Sequence, residues 1–270
     1  MRIGFIGTGN MATAMIKGIL KAQAAKPEEI IAYDIDGKKL EQVQAAFTIN
    51  TAASAVETAG KSDVLFLAVK PADFPELLCR LNETLRKKNP LIISVAAGTA
   101  LDYISSFLDY DASLVRIMPN INATVGEAMT AYCTNGRPDE QQVKTVERLC
   151  SSFGKIIALD EKYFPIFGVL AGAAPAFSYL FIDELARAAV KLGMNKKQAL
   201  EIAAQTVLGS AKLVAESDEH PFELIDKVCS PGGITIEGVT ALQEFGFSNA
   251  ITQAVRKAYE KDSKLSGEKK

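Results

Sequence analysis

The chain of 270 residues holds a single histidine, His220. That excludes a histidine-rich metal site, and no metal is expected. It also removes the commonest general base, so proton transfer must use another group or water. The four cysteines, Cys79, Cys133, Cys150 and Cys229, lie far apart and form no C-x-x-C pair. They read as buried or free thiols in a reducing compartment. Net charge is only −2, so nothing favours a polyanion such as nucleic acid as a partner. Arg2 leads into a strand pattern and not into the long apolar region of a signal peptide. A cytoplasmic location is expected. One uncharged stretch, Tyr163–Ile182, is long enough to cross a bilayer. It contains Pro165, Pro175 and two glycines, and Asp183-Glu184 follow at once without positive flanking clusters. The expected reading is no membrane span but a helix buried on all sides, inside the protein or in a subunit interface.

What is present begins at the first residue. Met1–Ala12 reads MRIGFIGTGNMA. Ile3, Phe5 and Ile6 favour a strand, and Gly7 permits a tight turn out of it. Gly9 lacks a Cβ, so a pyrophosphate can approach the backbone, and the small Ala12 lets the next helix pack close to the sheet. Met11, Met15, Ile16, Ile19 and Leu20 form that helix's apolar stripe. Its first amides present the positive end of the helix dipole to an anion. A strand before and an amphipathic helix after make this a dinucleotide-binding turn; a purely structural βα turn is the alternative. A second strand, Ile30–Tyr33, ends at Asp34. That acid stands about 20 residues after the turn, where a carboxylate binds the adenine ribose hydroxyls. It can equally cap the next helix with Asp36 and Gly37. No arginine lies between Tyr33 and Leu40, and an acid here repels a 2′-phosphate, so NADH is favoured over NADPH. Lys38 and Lys39 remain within reach of a phosphate.

Further short apolar runs, Asp63–Val69, Pro90–Val95 and Ser113–Met118, suit strands buried on both faces of a parallel sheet. Helical patterns lie between them at Ala72–Arg86 and Ala100–Leu108. A last pair adds a helix at Asp139–Ser151 and a strand at Lys155–Ala158. From Glu161 onward only helices are read: Arg187–Leu192, Lys196–Glu216, Pro221–Val228, Ile234–Phe245 and Ser248–Ser263, with a polar tail, 265–270, that should fray. The fold class is therefore α/β, an N-terminal Rossmann-type doubly wound sheet followed by an all-helical C-terminal domain. The boundary is expected near residue 160, giving domains 1–160 and 161–270.

Ligands of such sheets sit beyond the carboxyl ends of the strands. Ala68-Val69-Lys70-Pro71 ends one strand, with Lys70 at the mouth of the crevice and Pro71 suited to a helix start. Asn120, after Met118-Pro119, can bond either a nicotinamide or its own backbone. In the helical part, Ser230-Pro231-Gly232-Gly233-Ile234-Thr235 feeds a helix N-terminus whose free amides suit a carboxylate, with the Thr235 hydroxyl beside them. A plain interhelical turn with a threonine cap is the alternative. His220-Pro221 reads as a helix start, and the histidine as structural.

The segments IGFIGTGNMA, FLAVKP, SVAAG, RIMPN, AAQTVLGSAK and HPFELIDKVCSPGGITIEGVTAL, in this order, closely resemble pyrroline-5-carboxylate reductases from Arg2 to about Lys264. The resemblance implies reduction of 1-pyrroline-5-carboxylate to L-proline with NADPH or NADH, the last step of proline synthesis. It implies a homodimer interlocked through the helical domains, with dimers often assembling into decamers. It further implies that Ile6, Gly7, Thr8, Gly9, Asn10 and Met11 contact the pyrophosphate. Ala68, Val69, Lys70, Pro71, Ala96 and Ala97 would line the ribose and nicotinamide side. Gly233, Ile234 and Thr235 would bind substrate, their amides toward the carboxylate and the Thr235 hydroxyl, the catalytic candidate, toward the ring nitrogen. Asp218 matches a position near the substrate loop. The chain departs from the family's S-G-S-G-P-A-Y, which here reads Ala171-Gly172-Ala173-Ala174-Pro175-Ala176-Phe177 and lacks three hydroxyls. Tyr33 and Asp34 replace the serine and asparagine typical of NADPH users.

Two other readings stand beside this one. A β-hydroxyacid dehydrogenase would need a lysine about one turn after the interdomain glycines, but none follows Gly168 and Gly172 until Lys191. A non-catalytic or regulatory relative would keep the fold without the activity.

Overall fold

The computed structural model describes residues 1–267. Two compact units divide at Gly172/Ala173, later than the expected boundary near residue 160. The intervening residues belong to the first unit because Phe164, Phe167 and Ala171 bury their side chains beside Ala131.

The first unit is built on one eight-stranded sheet. Its strands are β1 (Ile3–Ile6), β2 (Ile30–Tyr33), β3 (Asn50–Thr51), β4 (Val64–Leu67), β5 (Leu91–Ser94), β6 (Leu114–Met118), β7 (Ala128–Thr134) and β8 (Gly154–Ala158). Their order is β3-β2-β1-β4-β5-β6-β7-β8. Every pair is parallel except β6 with β7. Two strands were not anticipated. β3 is only two residues long, too short for a pattern, and β7 mixes alanine and threonine with its few large apolar side chains.

Helices cover both faces. They are α1 (Asn10–Lys21), α2 (Gly37–Phe47), α3 (Ala55–Lys61), α4 (Phe74–Lys88), α5 (Leu101–Ser105), α6 (Glu140–Cys150) and the short α7 (Phe164–Phe167). Alternate residues of each strand serve opposite cores. Ile3, Phe5, Phe66 and Ile93 join Met15, Ile16 and Ile19 of α1 and Val146 and Leu149 of α6. Ile6, Leu65, Leu67 and Ile92 join Leu77, Leu78 and Leu81 of α4 on the other face. The Phe5 and Phe66 rings stack across β1 and β4 at 4.6 Å. Each such fully buried side chain contributes about 1.5–3 kcal/mol over its exposed state. Side chains cap the helices as their sequences suggest: Asp36 accepts the Lys38 amide and Ser54 the Glu57 amide. Asp139 and Gln142 satisfy each other's backbone reciprocally.

The second unit is helical: α8 (Ala174–Lys191), α9 (Lys196–Glu216), α10 (Pro221–Val228), α11 (Ile234–Glu244) and α12 (Phe247–Gly267). α12 continues to Gly267 through the first part of the tail expected to fray; residues 268–270 lie outside the described residues. α8 and α9 meet through the small buried residues Ala186, Ala199 and Ala203. Asp183 pairs with both Arg187 and Lys196 beside that contact. Otherwise the unit is open. Leu180, Leu208 and Leu213 are each more than half exposed. The expected burial of Tyr163–Ile182 on all sides is therefore not met within the chain: of α8, only Pro175 and Ala186 are buried. One continuous helical run, Glu161–Lys191, is apolar and long enough to cross a membrane, which by length and composition is weak evidence for a span.

The cysteines divide by burial. Cys150 closes α6 with no exposed surface, and burial pushes its thiol up to about 12. Burial, then the Glu161 charge, pushes the half-buried Cys133 to about 12 as well. Cys79 is exposed. Since the thiolate is the nucleophile, an aromatic disulfide reagent at pH 8 should modify Cys79 in the native protein and reach Cys150 only after denaturation. Native labelling of Cys150 at the rate of Cys79, read by peptide mass, would contradict this packing.

Candidate active site

The parallel register brings the carboxyl ends of four strands, β2, β1, β4 and β5, level, and β6 runs two residues beyond them. Ile6 lies opposite both Tyr33 and Leu67, Leu67 opposite Ser94, and Ser94 opposite Arg116. The peptides after these residues therefore share one sheet edge, and they include most of the expected cofactor residues.

Gly7 turns the chain there at φ +97°. A Cβ on it would fall 2.5 Å from the Ala68 carbonyl oxygen. Its amide donates to Tyr33 O at 2.8 Å, and the Ala68 amide donates to Ile6 O at 2.8 Å. Gly9 is the N-cap of α1 and supplies no side-chain cap. A Cβ on Gly9 would meet nothing within 4 Å. An uncapped helix start with open space over a glycine is the cradle a pyrophosphate needs, so the residues fit a dinucleotide. Asn10 and Met11, the first two residues of α1, follow directly.

Thr8 does not offer its amide to this cradle. The amide donates to Asp34 Oδ2 at 2.6 Å, and the Thr8 hydroxyl donates to the same oxygen at 3.0 Å. Asp34 Oδ1 accepts the Asp36 amide at 2.9 Å. Asp34 thus ties the glycine turn to the start of α2. Ala68 and Val69 are half-buried, Lys70 is exposed, and Pro71 opens a short helical turn ahead of α4. Ala97 is exposed, whereas the Ala96 side chain is buried in the core beside α4 and its amide donates to Ser94 Oγ.

The Asn120 side-chain amide does not turn back on its own backbone. It is buried, its Nδ2 donates to Ala171 O at 2.9 Å, and its Oδ1 accepts the Met129 amide at 3.2 Å. It anchors a π-helical stretch, Gly168–Ala173, a form found mostly as short insertions at functional sites. Ala171 packs there among aromatic side chains, so a buried hydroxyl in its place would need a partner. Arg116 was not singled out from sequence. It is 6% exposed in the middle of β6. Its Nη1 donates to Glu161 Oε1 at 2.9 Å, and its guanidinium lies 4.5 Å from the Phe164 ring centre. Glu161 also accepts the Leu101 amide at 2.9 Å, joining α5 to the same ion pair. The signal available was an arginine inside an apolar strand, which demands a buried partner.

In the second unit, Gly232 turns at φ +66° and the Gly233 amide donates to Ser230 O at 3.0 Å. That amide is engaged within the loop. Gly233 is the N-cap of α11 and has no side chain to cap it, which leaves the first-turn amides of Ile234 and Thr235 for a ligand. The side chain of Thr235 is half-buried and that of Ile234 is exposed. Asp218 is exposed in the link between α9 and α10. His220 is structural: it caps α10, its Nδ1 accepting the Phe222 amide while its own amide donates to Glu223 Oε2.

The two glycines at the sheet edge carry different demands. Gly7→Ala should lower the melting temperature of the ligand-free protein, since a left-handed L-residue costs about 1–2 kcal/mol before any clash with Ala68. Gly9→Ala should melt like wild type yet bind dinucleotide more weakly, measured by calorimetric titration. Equal stability losses in the two variants would overturn the assignment.

Comparison with known proteins bears on the whole chain. Residues 161–265 match the family model for pyrroline-5-carboxylate reductase dimerisation. Residues 2–98 match that of a coenzyme F420-dependent NADP oxidoreductase. The pyrroline-5-carboxylate reductase of Escherichia coli (strain K12) is 40% identical over 266 residues, covering 98% of each chain. That of Aquifex aeolicus (strain VF5) is 38% identical over 265 residues, 98% of this chain and 97% of the other. Among solved structures, a pyrroline-5-carboxylate reductase from Coxiella burnetii superposes with a TM-score of 0.92 at 29% identity, covering 98% of both chains. The Plasmodium falciparum pyrroline carboxylate reductase with NADP bound superposes at 0.86 with 31% identity over the same shares. With a dinucleotide cradle in the first unit, an uncapped glycine-led helix in the second and relatives at 40% and 38% identity over 98% of its length, this chain belongs to the pyrroline-5-carboxylate reductase family.

Proposed function

We propose that the chain reduces 1-pyrroline-5-carboxylate to L-proline, holding the substrate carboxylate at the N-terminus of α11 and the dinucleotide at the Gly7–Met11 turn. Membership in the family carries the reaction, an NAD(P)H-dependent reduction in proline biosynthesis. The single observation that supports the substrate assignment is the uncapped start of α11. Gly232 and Gly233 deliver the chain to it without a capping side chain, so its first amides are available to an anion. The Thr235 hydroxyl stands in that first turn, where it can hydrogen-bond the ring nitrogen as the imine becomes an amine. The exposed Asp218 lies ahead of α10, the eight-residue helix that leads to the loop.

When bound, the dinucleotide supplies a hydride from the nicotinamide. The chain's own part is alignment. A protonated cyclic imine is already electrophilic at its C=N carbon, so orientation supplies most of what a strong acid or base would otherwise provide. This agrees with a chain whose one histidine caps a helix. Asp34 favours NADH, because a carboxylate at the end of β2 accepts from a 2′-hydroxyl and repels a 2′-phosphate. The reaction is cytoplasmic in this reading.

We further infer that the working form is a homodimer built from the helical unit. Leu180, Leu185, Ile202, Leu208 and Leu213 are exposed on α8 and α9. So large an apolar surface marks an interface. Ala176 is exposed on α8, and Ala176→Glu should give aggregates or unfolded chains. Light scattering of the wild type at micromolar concentration should return a dimer or a multiple of it. A stable, active monomer would overturn the inference.

Thr235→Ala should fold normally and lose turnover. A substrate polar group left unsatisfied costs about 1–3 kcal/mol, so kcat/KM should fall roughly 10- to 100-fold. An unchanged kcat/KM with an unchanged melting temperature would remove Thr235 from the site.

A further inference from the structure

Asp34 is expected to give its carboxylate to a ribose, yet most of its accepting capacity is used inside the chain. Oδ2 takes both the amide and the hydroxyl of Thr8, at 2.6 and 3.0 Å, and Oδ1 takes the Asp36 amide at 2.9 Å. A carboxylate offers about four acceptor sites. The three bonds fill Oδ2 and leave a single site on Oδ1. Thr8 itself is immobilised. It is 3% exposed, its carbonyl accepts the Thr13 hydroxyl at 3.2 Å, and the neighbouring Gly7 amide is bonded to Tyr33 O. The carboxylate is therefore held by two donors on a rigid turn, and its charge cannot swing away to solvent when a phosphate approaches.

We propose that Thr8 is a positioning residue for cofactor choice: its hydroxyl fixes the Asp34 carboxylate, so that discrimination between a 2′-hydroxyl and a 2′-phosphate belongs to the Thr8–Asp34 pair and not to Asp34 alone. The proposal rests on the reading above that Asp34 favours NADH. A hydroxyl can donate to the open site on Oδ1, whereas a phosphate dianion has no proton for it and meets a charge that stays in place. Without the Thr8 hydroxyl, Oδ2 loses a donor and the side chain gains freedom to move off. Repulsion of the phosphate and acceptance of the hydroxyl then weaken together. The glycine-rich fingerprint puts no requirement on this position, so the contribution of Thr8 depends on the contact and not on the motif.

The test is direct binding of NADH and of NADPH to the full-length protein without substrate, by calorimetric titration, with a ligand-free melt for each variant. Asp34→Ser should move the ratio of dissociation constants toward NADPH. Thr8→Val should move it the same way by roughly 3- to 10-fold, as for the loss of one hydrogen bond. Thr8→Ser should restore the wild-type ratio. Adding Thr8→Val to Asp34→Ser should shift the ratio no further, because the two act as one unit. If Thr8→Val lowers the ligand-free melting temperature, Thr8→Ala carries the same comparison without an added methyl against the carboxylate. A Thr8 variant that weakens both cofactors equally, or whose shift persists in the Asp34→Ser background, would overturn the proposal while leaving Asp34's role intact. An unchanged ratio in Asp34→Ser would defeat the NADH reading itself, and the proposal with it.

Discussion

The passage of the Gly7 backbone against the Ala68 carbonyl is the constraint on which the first unit's chemistry depends. At φ +97°, with no room for a Cβ, the chain leaves β1 and enters α1 within three residues. The turn is held from both sides, by Gly7 to Tyr33 and by Ala68 to Ile6. The ends of β2, β1 and β4 are thereby locked level. The amides of α1 then open onto the same edge as Asp34, Lys70 and Ala97. The close approach also explains why two interleaved cores are needed beneath it. Strands β1, β4 and β5 are buried on both faces, so the edge stands on a rigid base and not on a flexible loop.

Beyond β6 the sheet is built differently. β7 runs against β6, and β8 follows β7. The last parallel strand end therefore lies beside a return strand that packs Ala131 against Phe164 and Phe167. Arg116, buried among them, needs Glu161, and Glu161 in turn holds the start of α5. An ion pair of this kind is costly to desolvate and costly to break, because removing one partner strands the other charge. Asn120 performs the uncharged version of the same task, satisfying both ends of its amide while it fixes the π-helical stretch. The polar residues of this region are spent on holding helices in place.

The helical unit has the opposite economy. Its internal contacts rest on alanines at the α8–α9 crossing, which allow close approach but bury little area. Its large apolar side chains face outward. Such a surface is understood through what covers it, and the family model that matches this region is one of dimerisation.

Much of this was legible in sequence. The two-faced apolar runs of β1, β2, β4, β5 and β6 announced a parallel sheet, since only strands covered on both sides omit the polar alternation. Gly7 and Ala12 announced the turn, because each answers a local steric demand, while Gly9 leaves open space at the start of α1. The Ser230–Thr235 loop and the helices after it followed from glycine pairs and helical period. What the sequence could not decide were contacts between residues far apart in the chain. That Asp34 is clasped by Thr8, that Arg116 belongs to Glu161, that Asn120 serves Ala171 and that β7 turns back on β6 depend on partners 26, 45, 51 and about 15 residues away. Local propensity sets the strand, the turn and the cap. Which polar group a buried side chain finds is settled only when the sheet closes and leaves it one partner within reach.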